Sequence, residues 1–318
     1  MQQSKEELTQ LTKAITRAAS CEIESATTMP PDTYTSEALL EFERREIFAK
    51  EWICVGRVEE IPNPGDYFTI KAAQEPLIVI RGDDGSVRAM SNICRHKWTQ
   101  LLAGRGSANR IVCPYHAWTY DRQGRLVHCR YMDRAKDFDH NKVTLPEIRS
   151  EVWRGFIYVN FSRNPTSVAE RFAHLDARTH NYHIEEMKWV CGGEEIWATN
   201  WKLLVENFTD LYHVFHTHRD SIDKYGPINI IKMKEGDGAY SFSSCPVLRD
   251  AMESSPFEPC HPELTGEQRD EFSMIGMFPA HTLALAPDRV FYMCLEPVDV
   301  DHVRTKWGVA CYEPQPSD

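Results

Sequence analysis

Residues 91–121, SNICRHKWTQLLAGRGSANRIVCPYHAWTYD, set two cysteines and two histidines in the order C-x-H and then C-x-x-H: Cys94 with His96, and Cys113 with His116. Two thiolates and two imidazoles can close a tetrahedral zinc site. They can equally hold a [2Fe–2S] cluster, with one iron on two Cys and the other on two His. Spacing alone leaves both open. The chain has ten cysteines, and only these two have a His at ligand spacing on their C-terminal side. The others, scattered through a long chain with no export signal, read as free thiols.

A second stretch, WKLLVENFTDLYHVFHTH at 201–218, carries ionisable groups on an apolar background. Asn200 is a good N-cap, and the pattern predicts a helix from there to about His213. On it Asn207, Asp210 and His213 recur every three residues and share a face, beside an apolar stripe of Leu204, Phe208, Leu211 and Phe215. Such polar groups are costly on an apolar helix unless they are partnered or bind an ion. His218, five residues after His213, comes within reach if the helix ends between them, and His216 is a rival at ideal helical spacing. Two His and a carboxylate with open positions make the facial triad of non-haem iron(II) oxygenases. That iron needs electrons from elsewhere, which a nearby iron–sulfur cluster could supply.

The elements that must position these groups fall into three parts. Residues 1–35 read as a loosely organised arm ending at Pro30-Pro31-Asp32. Ser36 reads as the N-cap of a helix reaching about Trp52, followed by short strands from Tyr67 to about Ser162, among them YFTIK, PLIVIRG, SVRAMSN and FIYVNF. The four Cys and His ligand candidates then sit on two loops of a small antiparallel β domain, residues 36–165. Residues 166–318 read as α+β around an antiparallel sheet, with strands near 239–245, 282–286, 290–296 and 302–312.

Composition narrows the partners. The chain has 318 residues, 42% hydrophobic and 26% charged, with a net charge of −11. No basic stripe offers itself to phosphates, so a nucleic-acid partner is not expected, and the Arg44–Arg45 pair reads as a solvated helix face. No apolar run approaches the roughly 20 residues of a membrane span, and the polar N-terminus lacks a signal sequence, so a cytoplasmic protein is expected. No nucleotide-binding fingerprint is visible.

Taken together, Cys94-Arg95-His96, sixteen residues, Cys113-Pro114-Tyr115-His116, and later Asn200-Trp201-Lys202 and Glu206 to His213 followed by His218, resemble the catalytic α subunits of Rieske non-haem iron oxygenases of the aromatic-ring-hydroxylating type. The resemblance runs from about Leu39 to the end. It implies a β Rieske domain joined to a helix-grip catalytic domain, usually in a trimer. Cys94 and Cys113 would bind one iron of the [2Fe–2S] cluster, and His96 and His116 the other. His213 and His218, rather than His216, would bind the mononuclear Fe(II). Asp210 matches the acid that bridges to a cluster-ligating His of the neighbouring subunit, and Asn207 a residue close to the iron. Electrons would come from a separate ferredoxin or flavoprotein reductase, and O2 and a small organic substrate would be the reactants.

Two departures stand out. Lys97-Trp98 follows the first His where the family has a basic and then a small residue. The family's third iron ligand, a downstream Asp or Glu on a helix after the last strands, has no counterpart here: Asp299 and Asp301 lie in PVDVDH, which reads as a hairpin turn, and the ligand-bearing helix is expected beyond Asp318. An Asp rather than a Glu at the bridge leans towards aromatic-ring hydroxylation, whereas LEFERREIFAKEW resembles members that oxidise quaternary ammonium compounds by demethylation or monooxygenation. An electron-transfer or ligand-binding protein that keeps only the cluster is the alternative from another class. A separate β subunit is left open.

Overall fold

The computed structural model describes residues 2–132, 134–224, 226–248 and 259–312. The N-terminal arm is ordered where a loose segment is expected: helix α1 spans Gln2–Ala19. Leu8, Leu11, Ile15 and Ala18 recur at helical spacing and are its half-buried face. A short turn α2 (Asp32–Thr35) leads to α3 (Glu37–Glu43), which Ser36 caps by accepting the Leu39 N–H. Beyond α3 the chain loosens into a five-residue π segment, Arg44–Phe48, so the single helix anticipated to Trp52 is split. Within it Arg45 is exposed, but Arg44 is half-buried and donates to the Val298 carbonyl, so only one of the pair is a solvated charge.

Ten strands follow: β1 (Ile53–Arg57), β2 (Asp66–Ala72), β3 (Glu75–Arg81), β4 (Val87–Ser91), β5 (Arg105–Ser107), β6 (Ile111–Val112), β7 (Thr119–Tyr120), β8 (Leu126–His128), β9 (Glu147–Trp153) and β10 (Phe156–Asn160). Seven pair antiparallel in the order β1-β10-β9-β4-β3-β2-β5, and β6-β7-β8 form a small separate sheet. The central runs of β3 and β10 are buried on both faces, which explains why they read as unbroken apolar stretches rather than alternating ones.

The polypeptide then crosses through two short helices, α4 (Val168–Arg171) and α5 (Ala173–Thr179), into β11 (Lys188–Trp197). Next come α6 (Trp201–Thr209) and α7 (Val214–Thr217), then β12 (Lys232–Lys234), β13 (Tyr240–Pro246), β14 (Glu271–Met277), β15 (His281–Leu285), β16 (Arg289–Pro297) and β17 (Val303–Cys311). The last six strands and β11 make one antiparallel sheet in the order β11-β17-β16-β15-β14-β13-β12, with α6 lying against β14 and β16. The fold is thus α+β, an antiparallel β domain followed by a helix-on-sheet domain.

The two large sheets share their core. One apolar cluster joins Trp52, Phe156 and Tyr158 to Leu283, Val290 and Tyr292. A second joins Phe48, Val55 and Val79 to Trp201, Met293 and Leu295. A third, separate cluster holds Cys94, Cys113, Trp118 and Tyr120 beneath the loops that carry the first motif.

Candidate active site

The C-x-H and C-x-x-H loops have the same backbone plan. In each, the cysteine carbonyl accepts the N–H four residues on, from Trp98 (3.2 Å) and from Ala117 (3.0 Å). Each cysteine N–H in turn donates to a carbonyl five residues on, Thr99 and Trp118, both at 2.8 Å. Closing these turns forces the fourth residue into left-handed conformation, φ 60° at Trp98 and 55° at Ala117. That region is sparsely used by side chains as large as Trp, and local strain of this kind gathers at functional loops.

The loops set sulfur inside and imidazole outside. Cys94 and Cys113 are buried, His96 is half-buried and His116 exposed. The two imidazoles face each other with ring centroids 4.8 Å apart, and His96 stacks flat on Trp118 at the same separation. The His96 Nδ1 is buried with no hydrogen-bond partner, and burial pushes the ring's pKa down, so it is held as a neutral imidazole with a lone pair to give. The Tyr120 hydroxyl lies 3.3 Å from the Cys94 Sγ and accepts the Arg95 N–H. Burial, then the contact with Cys94, holds that phenol protonated, so it can donate to a thiolate there. The donor set, two inner sulfurs and two outer nitrogens, fits a [2Fe–2S] cluster with unlike irons.

The second motif does not lie on one continuous helix. Asn200 caps α6 as read, its side-chain oxygen accepting the Lys202 N–H, while its amide donates to the Tyr34 and Val300 carbonyls, each at 2.8 Å. Glu43 holds the same end from below: it accepts from Trp201 Nε1 at 3.0 Å and pairs with Lys202 Nζ at 2.9 Å. The helix stops at Thr209 because the Asp210 carboxylate captures the Tyr212 N–H at 2.7 Å, a local bond that competes with helix propagation. Asp210 and His213 therefore leave the face that carries Asn207. His213 and His218 bracket the single turn α7. On an ideal helix residues five apart point about 140° away from each other. Here the break brings their rings to a centroid separation of 5.3 Å. His216 is exposed and takes no part.

Both imidazoles line a cavity of about 480 Å³, together with Asn207 and Asp210 and apolar side chains including Phe208, Phe272 and Phe291. The His213 Nδ1 is buried without a hydrogen bond and lies 3.6 Å from an Asp210 carboxylate oxygen. With Nδ1 turned to Asp210, the Nε2 of His213 is the atom left to ligate, which fits an iron(II) site oriented by an outer carboxylate. Asp210 itself is half exposed, with its side chain at 53%, so its far side is open to another partner. Asp210 is the sole acid lining the cavity among the described residues. Asp299 and Asp301 lie in the turn between β16 and β17, with Asp299 bonded to His302, and neither reaches it. No hydrogen bond or ring contact joins the two sites among the described residues.

Sequence reasoning missed the supports: Trp118, Tyr120 and the Glu43 pair. Trp118 and Tyr120 lie within the first motif's own stretch, whereas spacing could not have found Glu43, 158 residues from Trp201.

Comparison with known families agrees with this division. Residues 51–142 match the Rieske [2Fe-2S] domain, and residues 172–316 match the catalytic domain of the ring hydroxylating alpha subunit. The chain belongs to the Rieske oxygenase alpha subunits. Among its relatives, the carnitine monooxygenase oxygenase subunit of Escherichia coli (strain K12) is 35% identical over 198 residues, covering 61% of this chain and 53% of that protein. The glycine betaine monooxygenase oxygenase subunit of Pseudomonas aeruginosa (strain UCBPP-PA14) is 34% identical over 191 residues, 60% of this chain and 44% of that protein. The chain thus spans about half the length of the curated relatives it matches. A solved quaternary ammonium Rieske monooxygenase in complex with L-carnitine superposes with a TM-score of 0.76 at 26% identity, over 92% of this chain and 78% of the other. Naphthalene 1,2-dioxygenase from Rhodococcus sp. shares the fold, with a TM-score of 0.81 at 20% identity over 98% and 78%.

Proposed function

We propose that the chain is the oxygenase subunit of a Rieske-type monooxygenase acting on a small quaternary ammonium compound. The observation that carries the reading is the pair His213 and His218, converging on the wall of an apolar cavity with Asp210 behind His213. Cys94, His96, Cys113 and His116 would hold the [2Fe–2S] cluster, and His213 and His218 the mononuclear iron. When bound, the two groups supply one-electron transfer and activation of O2. The protein's own work is to orient and to exclude water. Asp210 fixes the His213 ring through Nδ1, and its open side is available to an imidazole of another copy. Because among the described residues no hydrogen bond or ring contact joins the two sites of one chain, a trimer that sets the cluster of one copy against Asp210 of the next completes the path. Asn207 faces the cavity and can orient a polar substrate group.

Identity to carnitine and glycine betaine monooxygenases supports the ammonium substrate, and Phe208, Phe272 and Phe291 offer ring faces to a cation. Aromatic-ring hydroxylation, the first expectation from the sequence, keeps its own support in the apolar wall and in 35% identity over 187 residues to the 2-aminobenzenesulfonate 2,3-dioxygenase alpha subunit of Alcaligenes sp. Among the described residues no helix is long and apolar enough to cross a membrane, and dependence on a separate ferredoxin or flavoprotein reductase suits the cytoplasm. The test is O2 uptake by the iron-loaded protein with a reductase, comparing carnitine, glycine betaine and 2-aminobenzenesulfonate. Substrate-dependent uptake with release of an amine or aldehyde product is the expected result. Uptake coupled only to the aromatic compound would overturn the ammonium reading, and uptake with none of the three, from cluster-replete protein, would favour a carrier.

A further inference from the structure

Away from both sites, Cys54 on β1, His281 on β15 and Cys294 on β16 meet in the core between the two large sheets. Their exposures are 5, 3 and 5%, the two Sγ atoms are 3.2 Å apart, and one ligand atom from each residue lies within 4.8 Å of the others. No disulfide joins the sulfurs; the Cys294 thiol donates to Cys54 Sγ.

The imidazole is what sets this apart from ordinary buried thiols, which are common as small apolar core residues. His281 Nδ1 lies 2.8 Å from the Tyr158 hydroxyl, and that hydroxyl lies 3.9 Å from Met277 Sδ, a weak acceptor. With Nδ1–H donating to Tyr158 and Tyr158 donating on to Met277, the lone pair falls on Nε2. That Nε2 is buried with no well-aligned hydrogen-bond partner, the Cys54 thiol being the polar group beside the ring. An unpaired imidazole nitrogen in a dry core is unfavourable unless something takes it up, and the second ring nitrogen of a metal-bound His is commonly fixed in this way. Nearby, Lys306 Nζ donates to the Val55 carbonyl next to Cys54 and pairs with the Glu60 carboxylate at 2.8 Å.

We infer that Cys54, His281 and Cys294 form a binding site for a thiophilic d10 cation, zinc or copper(I), that ties the Rieske sheet to the catalytic sheet. Two sulfurs and one imidazole with no carboxylate select such ions over calcium or magnesium. Burial leaves no path for a substrate, so the role is structural. Neither the cavity nor the cluster loops include these residues, and the inference does not depend on the proposed substrate.

The test is metal analysis of the full chain purified anaerobically without chelators, counting zinc, copper and iron together, on wild type and on Cys54→Ser and His281→Gln. About one zinc or copper per chain is expected in wild type, lost in both variants while the EPR signal of the reduced [2Fe–2S] cluster is unchanged. Should the variants fail to fold, cobalt(II) titration of the cluster-loaded wild type, after its bound zinc and copper are removed, decides: a sulfur-to-cobalt charge-transfer band at one equivalent supports the site. Absence of the band, no uptake of zinc or copper by wild type, metal retained in the variants, or a Cys54–Cys294 disulfide in the anaerobic protein would each overturn it.

Discussion

Glu43 is the support whose removal the structure prices most directly. Its carboxylate is buried, with 7% side-chain exposure, and it meets Lys202 Nζ, at 13%, and Trp201 Nε1. Glu43→Ala strands an ammonium in a nearly dry site and leaves an indole N–H without an acceptor. Breaking one side of a buried ion pair costs about 3–5 kcal/mol, and the orphaned N–H adds about 1 kcal/mol. Replacing both charges together, Glu43→Leu with Lys202→Met, removes the stranded charge, so the double variant should be more stable than Glu43→Ala alone despite carrying an extra substitution. Denaturant unfolding of the cluster-loaded protein, followed by tryptophan fluorescence, compares wild type, the single variant and the double variant. Since this pair holds the start of α6, Glu43→Ala should also loosen iron at His213 and His218 while leaving the cluster's EPR signal in place. A Glu43→Ala protein within about 0.5 kcal/mol of wild type, or a double variant less stable than the single, would refute the reasoning.

Further outcomes follow from other groups. Asp210→Ala should retain both metal centres by iron and sulfide analysis yet slow electron transfer into the catalytic iron by about 10- to 100-fold, read by single-turnover kinetics; wild-type rates would exclude the bridging role. The Glu296 carboxyl, buried against the β2–β3 turn, is pushed up by burial from its ordinary 4.5 to about 7, against the opposing pull of the Gln74 and Ala73 N–H groups. Its folded value is the raised one, so its contribution to stability is fully present below about pH 4.5 and is lost as pH rises through 7. Glu296→Gln should therefore gain on wild type between pH 5 and pH 8 by about 2–4 kcal/mol, measured by urea unfolding at the two pH values; parallel profiles would contradict it. Ala284→Phe, on the cavity wall, should raise KM at least about tenfold, near 1.4 kcal/mol, with an unchanged cluster signal; an unaltered KM would place the substrate elsewhere.

What could be read from the chain was what is local. The Ser36 and Asn200 caps and both Cys–His pairs announce themselves within a few residues, because the same residues make and satisfy the feature. The break at Asp210 is equally local, yet it hides. Asp at that position fits an i, i+3 stripe as well as a chain-stopping turn, and only the captured Tyr212 N–H decides. Helix α1 was legible in Leu8, Leu11, Ile15 and Ala18, but its Gln- and Thr-rich company masked the period. Glu43, Glu296 and the Cys54 group were illegible in principle. Each reads as a surface charge or a free thiol until a distant strand or helix is brought to it.

Those long reaches also have a timetable. Glu43 precedes Trp201 by 158 residues, Tyr158 precedes His281 by 123, and Cys54 precedes Cys294 by 240. At roughly 5–20 residues per second of synthesis, Cys54 waits about 12 to 48 seconds for its partner sulfur to be made. During that interval the first sheet can pair its strands and close its cluster loops, but the face destined for the second sheet stays uncovered. A nascent chain with buried-type thiols on that face is most exposed to oxidation and to chaperone binding while β15 and β16 are still being assembled on the ribosome.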